Sequence, residues 1–322
     1  MLATLRPLYR FLRPVVAAAV VAWMASHTDL GVVAAELGSV NPLWLSIAVS
    51  IGFAEAVIRC ANWQQVLTAI GIRIPTFGGL LRKYFLAAFA GSLIPSSLGT
   101  DALRAVFSRQ LAGGGRLSQH ALAVFVTNIL SFAGGMLLIL TSLAWLTAGQ
   151  QHRLANAFAV SLIGLLCIAV FGLLGALPFR LKGTLVGMAP LSRKFRSRLL
   201  RTTARLSRDF RRIASNGPAI GIGILLALIA QAAGYAVVAY AAGVEMPAAA
   251  WLIVPALVAL VGMLPASFLG FGATQAAIVG VLLVFDQREE QAIAASTLMT
   301  LVGLFVKLAG GLVATLAEPR PA

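Results

Sequence analysis

The chain has 322 residues, of which 60% are hydrophobic and 11% charged, and its formal net charge is +15. Soluble domains are about 45–50% apolar, so this composition excludes an ordinary soluble protein, and the unbroken apolar runs 154–177, 220–242 and 292–316 exclude the alternating strands of an outer-membrane barrel. The basic excess reads as positive-inside loops rather than a nucleic-acid surface, because no aromatic-basic interleaving accompanies it.

In chain order, Arg6, Arg10 and Arg13 precede a first apolar segment with no small-x-small cleavage site, which reads as an uncleaved helix. Asp29 and Glu36 follow it, so the amino terminus is expected in the cytoplasm. A second helix, about 42–58, returns to Arg59, Arg73, Arg82 and Lys83. The next apolar run is too short to span, contains Pro95, and has basic residues on both sides. It is predicted to be a re-entrant hairpin, 84–99, entering and leaving on the cytoplasmic face, a conformation tolerated only inside protein or beside water. A long helix at about 118–147 closes a first half over 1–146, and another helix follows at 154–178.

Residues 179–216 hold eleven arginines and lysines against Asp209. Phe195, Leu199, Leu206, Phe210 and Ile213 recur there at helical spacing, which fits an amphipathic helix on anionic lipid or a solvated positive-inside loop. The second half, 218–316, begins with a helix ending near Glu245. Residues 247–285 contain Pro265, Gly270 and Gly272 and are bracketed by Glu245 and by Asp286, Glu289 and Glu290, predicting a second re-entrant hairpin entered from the outer side. A last helix, 291–316, ends inside and puts the carboxyl terminus in the cytoplasm. The fold expected is a single domain over 1–322, all-α and polytopic, with six full spans and two hairpins; hydropathy alone counts eight spans.

The interrupted stretch occurs twice. Pro95-x-Ser97 matches Pro265-x-Ser267, and Gly99-x-x-Ala102-x-x-Ala105 matches Gly270-x-x-Ala273-x-x-Ala276 after one inserted residue. One copy lies between basic residues and the other between acidic ones, the signature of an inverted-topology repeat with a transport site between its broken helices. In the first copy, Thr100 or Asp101 is expected to cap the half-helix beyond Pro95, leaving amide groups that favour an anion such as phosphate. Arg104 offers a planar donor fork for phosphate oxygens, while Asp101 either holds that arginine or binds an amine. Both residues also fit a local pair capping a cytoplasmic helix.

Other polar residues lie within apolar segments. Glu55 and Arg59 are four apart and can pair, with Arg59 stacking on Trp63, a structural arrangement expected at the cytoplasmic interface. Lys307 sits about 15 Å from its helix end, long for snorkelling, and is a candidate for the substrate path. Gln275 is a further candidate; Asn128, Gln231 and Tyr235 fit interhelical hydrogen bonds better. Cys60 and Cys167 read as packing residues, and the three histidines lack ligand spacing, so neither metal nor cofactor is expected.

The segments RCANWQQVL from Arg59, GSLIPSSLGTDALRAV from Gly91 and LPASFLGFGATQAAIVGVLL from Leu264 resemble the transmembrane region of lysylphosphatidylglycerol synthases, the flippase-like domain family, over roughly 10–316. The sequence departs from that family in carrying Thr274 and Gln275 where an arginine and a glutamate are usual. The resemblance implies a multi-pass protein of the bacterial cytoplasmic (inner) membrane whose partners are membrane lipids. Its expected function is translocation of a phospholipid or lipid-linked anionic head group. It does not imply aminoacyl transfer, which belongs in that family to a soluble domain. Two alternatives stand beside this: a membrane-embedded transferase acting on a lipid phosphate, and a non-transporting scaffold for lipid-synthesis enzymes. An enzyme is not expected, because Asp101 is the only plausible base, and no Walker motif provides for ATP.

Overall fold

In the computed structural model, residues 35, 38, 40–92, 97–146, 208–209, 211–262, 267–268 and 271–317 are described. The first expected helix and the expected 154–178 helix lie outside them, as does most of the basic loop. Four described helices are long and apolar enough to cross a membrane: α1 (Pro42–Ala69), α4 (Leu117–Leu146), α5 (Gly217–Ala241) and α8 (Glu289–Leu316). The chain is a multi-pass helical membrane protein.

Between α1 and α4 lie two shorter helices, α2 (Phe77–Ser92) and α3 (Ser97–Leu111). At 1.5 Å per residue they extend about 24 and 22 Å, short of the roughly 30 Å hydrocarbon core. Their contacts run antiparallel: Gly91 meets Thr100, Lys83 lies over the Phe107 ring, and Gly79 faces Leu111. They form a helical hairpin with both ends at one end of the bundle. Its arms begin earlier and end later than the predicted 84–99, because the apolar run used to place the hairpin covers only its upper part. The second hairpin has one arm made of a 3-10 turn (Ala248–Leu252) and α6 (Ile253–Gly262), and a second arm, α7 (Ala273–Val284). A short antiparallel β pair, Ser267 with Gly272 and Phe268 with Phe271, precedes α7. Gly272 has φ +96°, a conformation that glycine adopts freely.

The packing of the first half is repeated in the second. Arm α2 packs on α8 and arm α3 on α4, while arm α6 packs on α4 and arm α7 on α8; α1 and α5 pack together at the centre. Exchanging α1 with α5, α2 with α6, α3 with α7 and α4 with α8 maps these pairs onto one another. The direction is inverted. Along α4, Ser108 of the first hairpin meets His120 and Asp101 meets Asn128, and then Ala256 of the second hairpin meets Gly135 and the Ala249 carbonyl accepts from Ser142. Each hairpin therefore enters from its own end.

Charge separates the ends as well. Arg73, Arg82, Lys83, Arg109 and Arg116 surround the base of the first hairpin, where Arg82 donates to the Ala317 carbonyl and Arg212 reaches the Gly71 turn. Asp209 is also buried at this end, where burial pushes its carboxyl up against the pull of Arg212 and Arg208. Glu245, Asp286, Glu289 and Glu290 lie at the base of the second hairpin. Each hairpin is wedged into its own apolar core. Leu80 and Ala105 join Trp63, Leu67, Leu122 and Ile220 at the basic end, and Trp251, Val254 and Leu282 join Val238, Ala292 and Ala295 at the acidic end.

Candidate functional site

Between the two cores the helices part around a cavity of about 300 Å³, lined by α1, α2, α5 and α8. Small residues make the room: Gly52 and Ala56 on α1, Ala88 on α2, Gly234 on α5 and Gly303 on α8. Its polar groups among the described residues are Glu55, Arg59, Tyr84, Gln231, Tyr235 and Lys307.

The cavity chemistry starts on α1. Helical spacing stacks Glu55 one turn before Arg59, and Arg59 Nε donates to Glu55 Oε1 at 2.6 Å. The planar guanidinium has a second edge, and its Nη2 donates to Gln231 Oε1 on α5 at 2.8 Å. Gln231 Nε2 in turn donates to the Tyr235 hydroxyl at 3.2 Å. A polar chain thus links the two central helices across the pseudo-symmetric interface. Lys307 borders the cavity from α8 and is exposed. It feels the Glu55 carboxylate, yet has no hydrogen bond or ion pair among the described residues.

The Glu55–Arg59 pair forms as predicted and lies in the cavity wall. The α1 helix continues eleven residues beyond the expected end at 58. A pair that neutralises itself and gains Gln231 does not have to end a helix. Trp63 is also not stacked by Arg59. Its cation partner is Arg104, whose guanidinium lies 4.7 Å from the Trp63 ring and 5.0 Å from Tyr84, so that α3 is clamped to α1 and α2. Arg59 turns to Gln231 instead.

Arg104 is 8% exposed and lies 3.6 Å from Asp101. Asp101 Oδ2 accepts from Asn128 Nδ2 on α4 at 2.6 Å. Neither Thr100 nor Asp101 caps α3, because that helix already includes Ser97, which puts both residues inside it. Thr100 packs on Gly91 at the hairpin tip, near Gly99. A small polar void of about 20 Å³ separates Arg104, Asn128 and Ser131 from Arg59, enough for about one water. Arg59 borders both spaces.

The structure therefore brings Glu55, Arg59 and Lys307 to one cavity and Arg104 to a neighbouring void, with Asp101 behind it on Arg104 and Asn128. Ser97 begins α3 and Ser267 begins the β pair before Gly272. Gln275 is buried and donates to Thr297 on α8 at 2.8 Å; it does not line the cavity. Pro95, Pro265 and Gly270 lie outside the described residues. Tyr84, a wall shared by the cavity and the Arg104 clamp, had no distinguishing pattern, whereas Gln231 and Tyr235 carried one: a polar pair at i, i+4 in an apolar helix, matching Glu55 and Arg59. No group of three or more histidines, cysteines or carboxylates gathers as a metal site among the described residues.

A family model described as the lysylphosphatidylglycerol synthase TM region matches residues 10–311. No curated protein matches the chain.

Proposed function

The chain belongs to the lysylphosphatidylglycerol synthase transmembrane-region family, which ties it to membrane lipids, and from that premise we propose that it translocates a phospholipid or lipid-linked anionic head group between leaflets. One observation carries this reading: a charged cavity of about 300 Å³ lies within a membrane-spanning bundle whose two hairpins enter from opposite ends. That volume is at the lower end for small-molecule pockets and suits a head group whose acyl chains stay in lipid. The inverted packing supplies the mechanism, since two arrangements related by the pseudo-twofold exchange would open the cavity to one leaflet and then the other. The basic end faces the cytoplasm of a bacterial inner membrane in this reading, following the positive-inside rule.

Proteoliposomes carrying acyl-labelled phospholipid test it. Protein should make the inner-leaflet label accessible to an impermeant quencher, with lipid masses unchanged, and Gly303→Trp, which fills the cavity, should stop the exchange. Exchange no faster than in protein-free vesicles sinks the proposal, and a lipid mass shift would favour a transferase instead.

A further inference from the structure

Among the described residues, the cavity is lined by three ionisable charges: Glu55, Arg59 and Lys307. The other described lining polar groups are the Tyr84 and Tyr235 phenols and the Gln231 amide, which carry no charge at neutral pH. Whichever cation Glu55 favours, these described groups sum to one positive charge. The observed geometry assigns the neutralisation: Arg59 holds Glu55 at 2.6 Å and gives its other edge to Gln231, so both partners are committed. Lys307 is left as the cation that borders the open space with no hydrogen bond or ion pair among the described residues. A cation with no ion-pair partner among the described residues, bordering a cavity in an apolar bundle, calls for an opposite charge.

We propose that Lys307 binds the phosphodiester of a lipid whose head group carries a single net negative charge and no amine, so that the cavity selects anionic over zwitterionic and zwitterionic over cationic lipids. This rests on the translocation reading for its consequence but not for its measurement. An anionic phosphodiester brings the cavity to neutrality. A zwitterionic head group leaves the positive charge in place, because its own two charges cancel. A head group with a net positive charge adds to the excess. The specificity follows from the Lys307 ammonium on α8 beside the Glu55–Arg59 pair on α1.

Binding rather than transport decides it. Native mass spectrometry of the full-length protein in detergent should count phosphatidylglycerol, phosphatidylethanolamine and a cationic ethyl-phosphatidylcholine competing at equal concentration. Phosphatidylglycerol should win over the cationic lipid by at least about tenfold, the factor that corresponds to about 1.4 kcal/mol. Lys307→Arg should keep the preference, Lys307→Gln should erase it, and Lys307→Glu should reverse it. Should the glutamate variant not fold, the glutamine variant carries the test. Equal occupancy of the three lipids by the native protein overturns the inference, as does an unchanged preference in Lys307→Gln. If selective binding persists where vesicles show no exchange, the translocation reading falls and this assignment stands; exchange without selective binding does the opposite.

Discussion

Replacing Gly91 with alanine should force the first hairpin apart. A Cβ at this position would lie 2.6 Å from Thr100 Cα and 2.7 Å from its Cβ, and closer still to its hydroxyl. The first of these distances is roughly 0.8 Å short of the 3.4 Å at which ordinary contact begins. The obstacle includes backbone, so a rotamer change cannot relieve it; the two helices must separate. Overpacking of this kind costs about 1–3 kcal/mol, and alanine's helical advantage is small here because Gly91 is one residue from the end of α2. Gly280→Ala is the control. It sits inside α7 with nothing within 4 Å of an added Cβ and should stabilise by about 0.5–1 kcal/mol. Unfolding midpoints in a mixed-micelle denaturant titration measure both. Thr100→Gly should rescue Gly91→Ala only partly, since it removes the side-chain clash and leaves the backbone one. If Gly91→Ala is as stable as Gly280→Ala, α2 and α3 do not cross closely at these residues and the antiparallel register is wrong.

Three further outcomes follow from the same contacts. The Asp101–Asn128 bond at 2.6 Å joins the hairpin to α4, so Asp101→Ala and Asn128→Ala should each destabilise by about 1.5–3 kcal/mol, and their double-mutant cycle should show coupling. Arg104→Lys should lose about 1–2 kcal/mol, because a lysine cannot lie flat between Trp63 and Tyr84; stability equal to the native protein would remove the clamp. Cys60 is fully buried, so in a Cys167→Ser background a thiol reagent should react with the folded protein only at the rate of its opening, and prompt labelling would contradict the α1 packing.

The broad architecture could be read from residues close in sequence. Proline and glycine interrupting apolar runs located both hairpins, and the charges bracketing them told which end each one enters. What could not be read depends on partners far along the chain. Arg59 follows an apolar run and has Arg73 beyond it, so by charge it looks like a helix end; only Gln231, 172 residues away, shows why it stays inside. Trp63 has an arginine four residues before it and another 41 after it, and periodicity prefers the nearer one. The fold prefers Arg104, because the return of α3 along α2 carries it to the indole. Lys307 drew attention by its depth in an apolar helix, but its relation to Glu55 needed α1 and α8 side by side.

Opposed entry of the two hairpins is the premise of both cavity and transport, and impermeant maleimide labelling tests it most directly. In a cysteine-free background, Gly78→Cys and Gln110→Cys mark the two ends of the first hairpin, and Asp286→Cys marks the base of the second. In sealed vesicles of known orientation, positions 78 and 110 should both label from the cytoplasmic face and position 286 only from the opposite face. Labelling of 110 and 286 from the same side, or of 78 and 110 from different sides, contradicts the account.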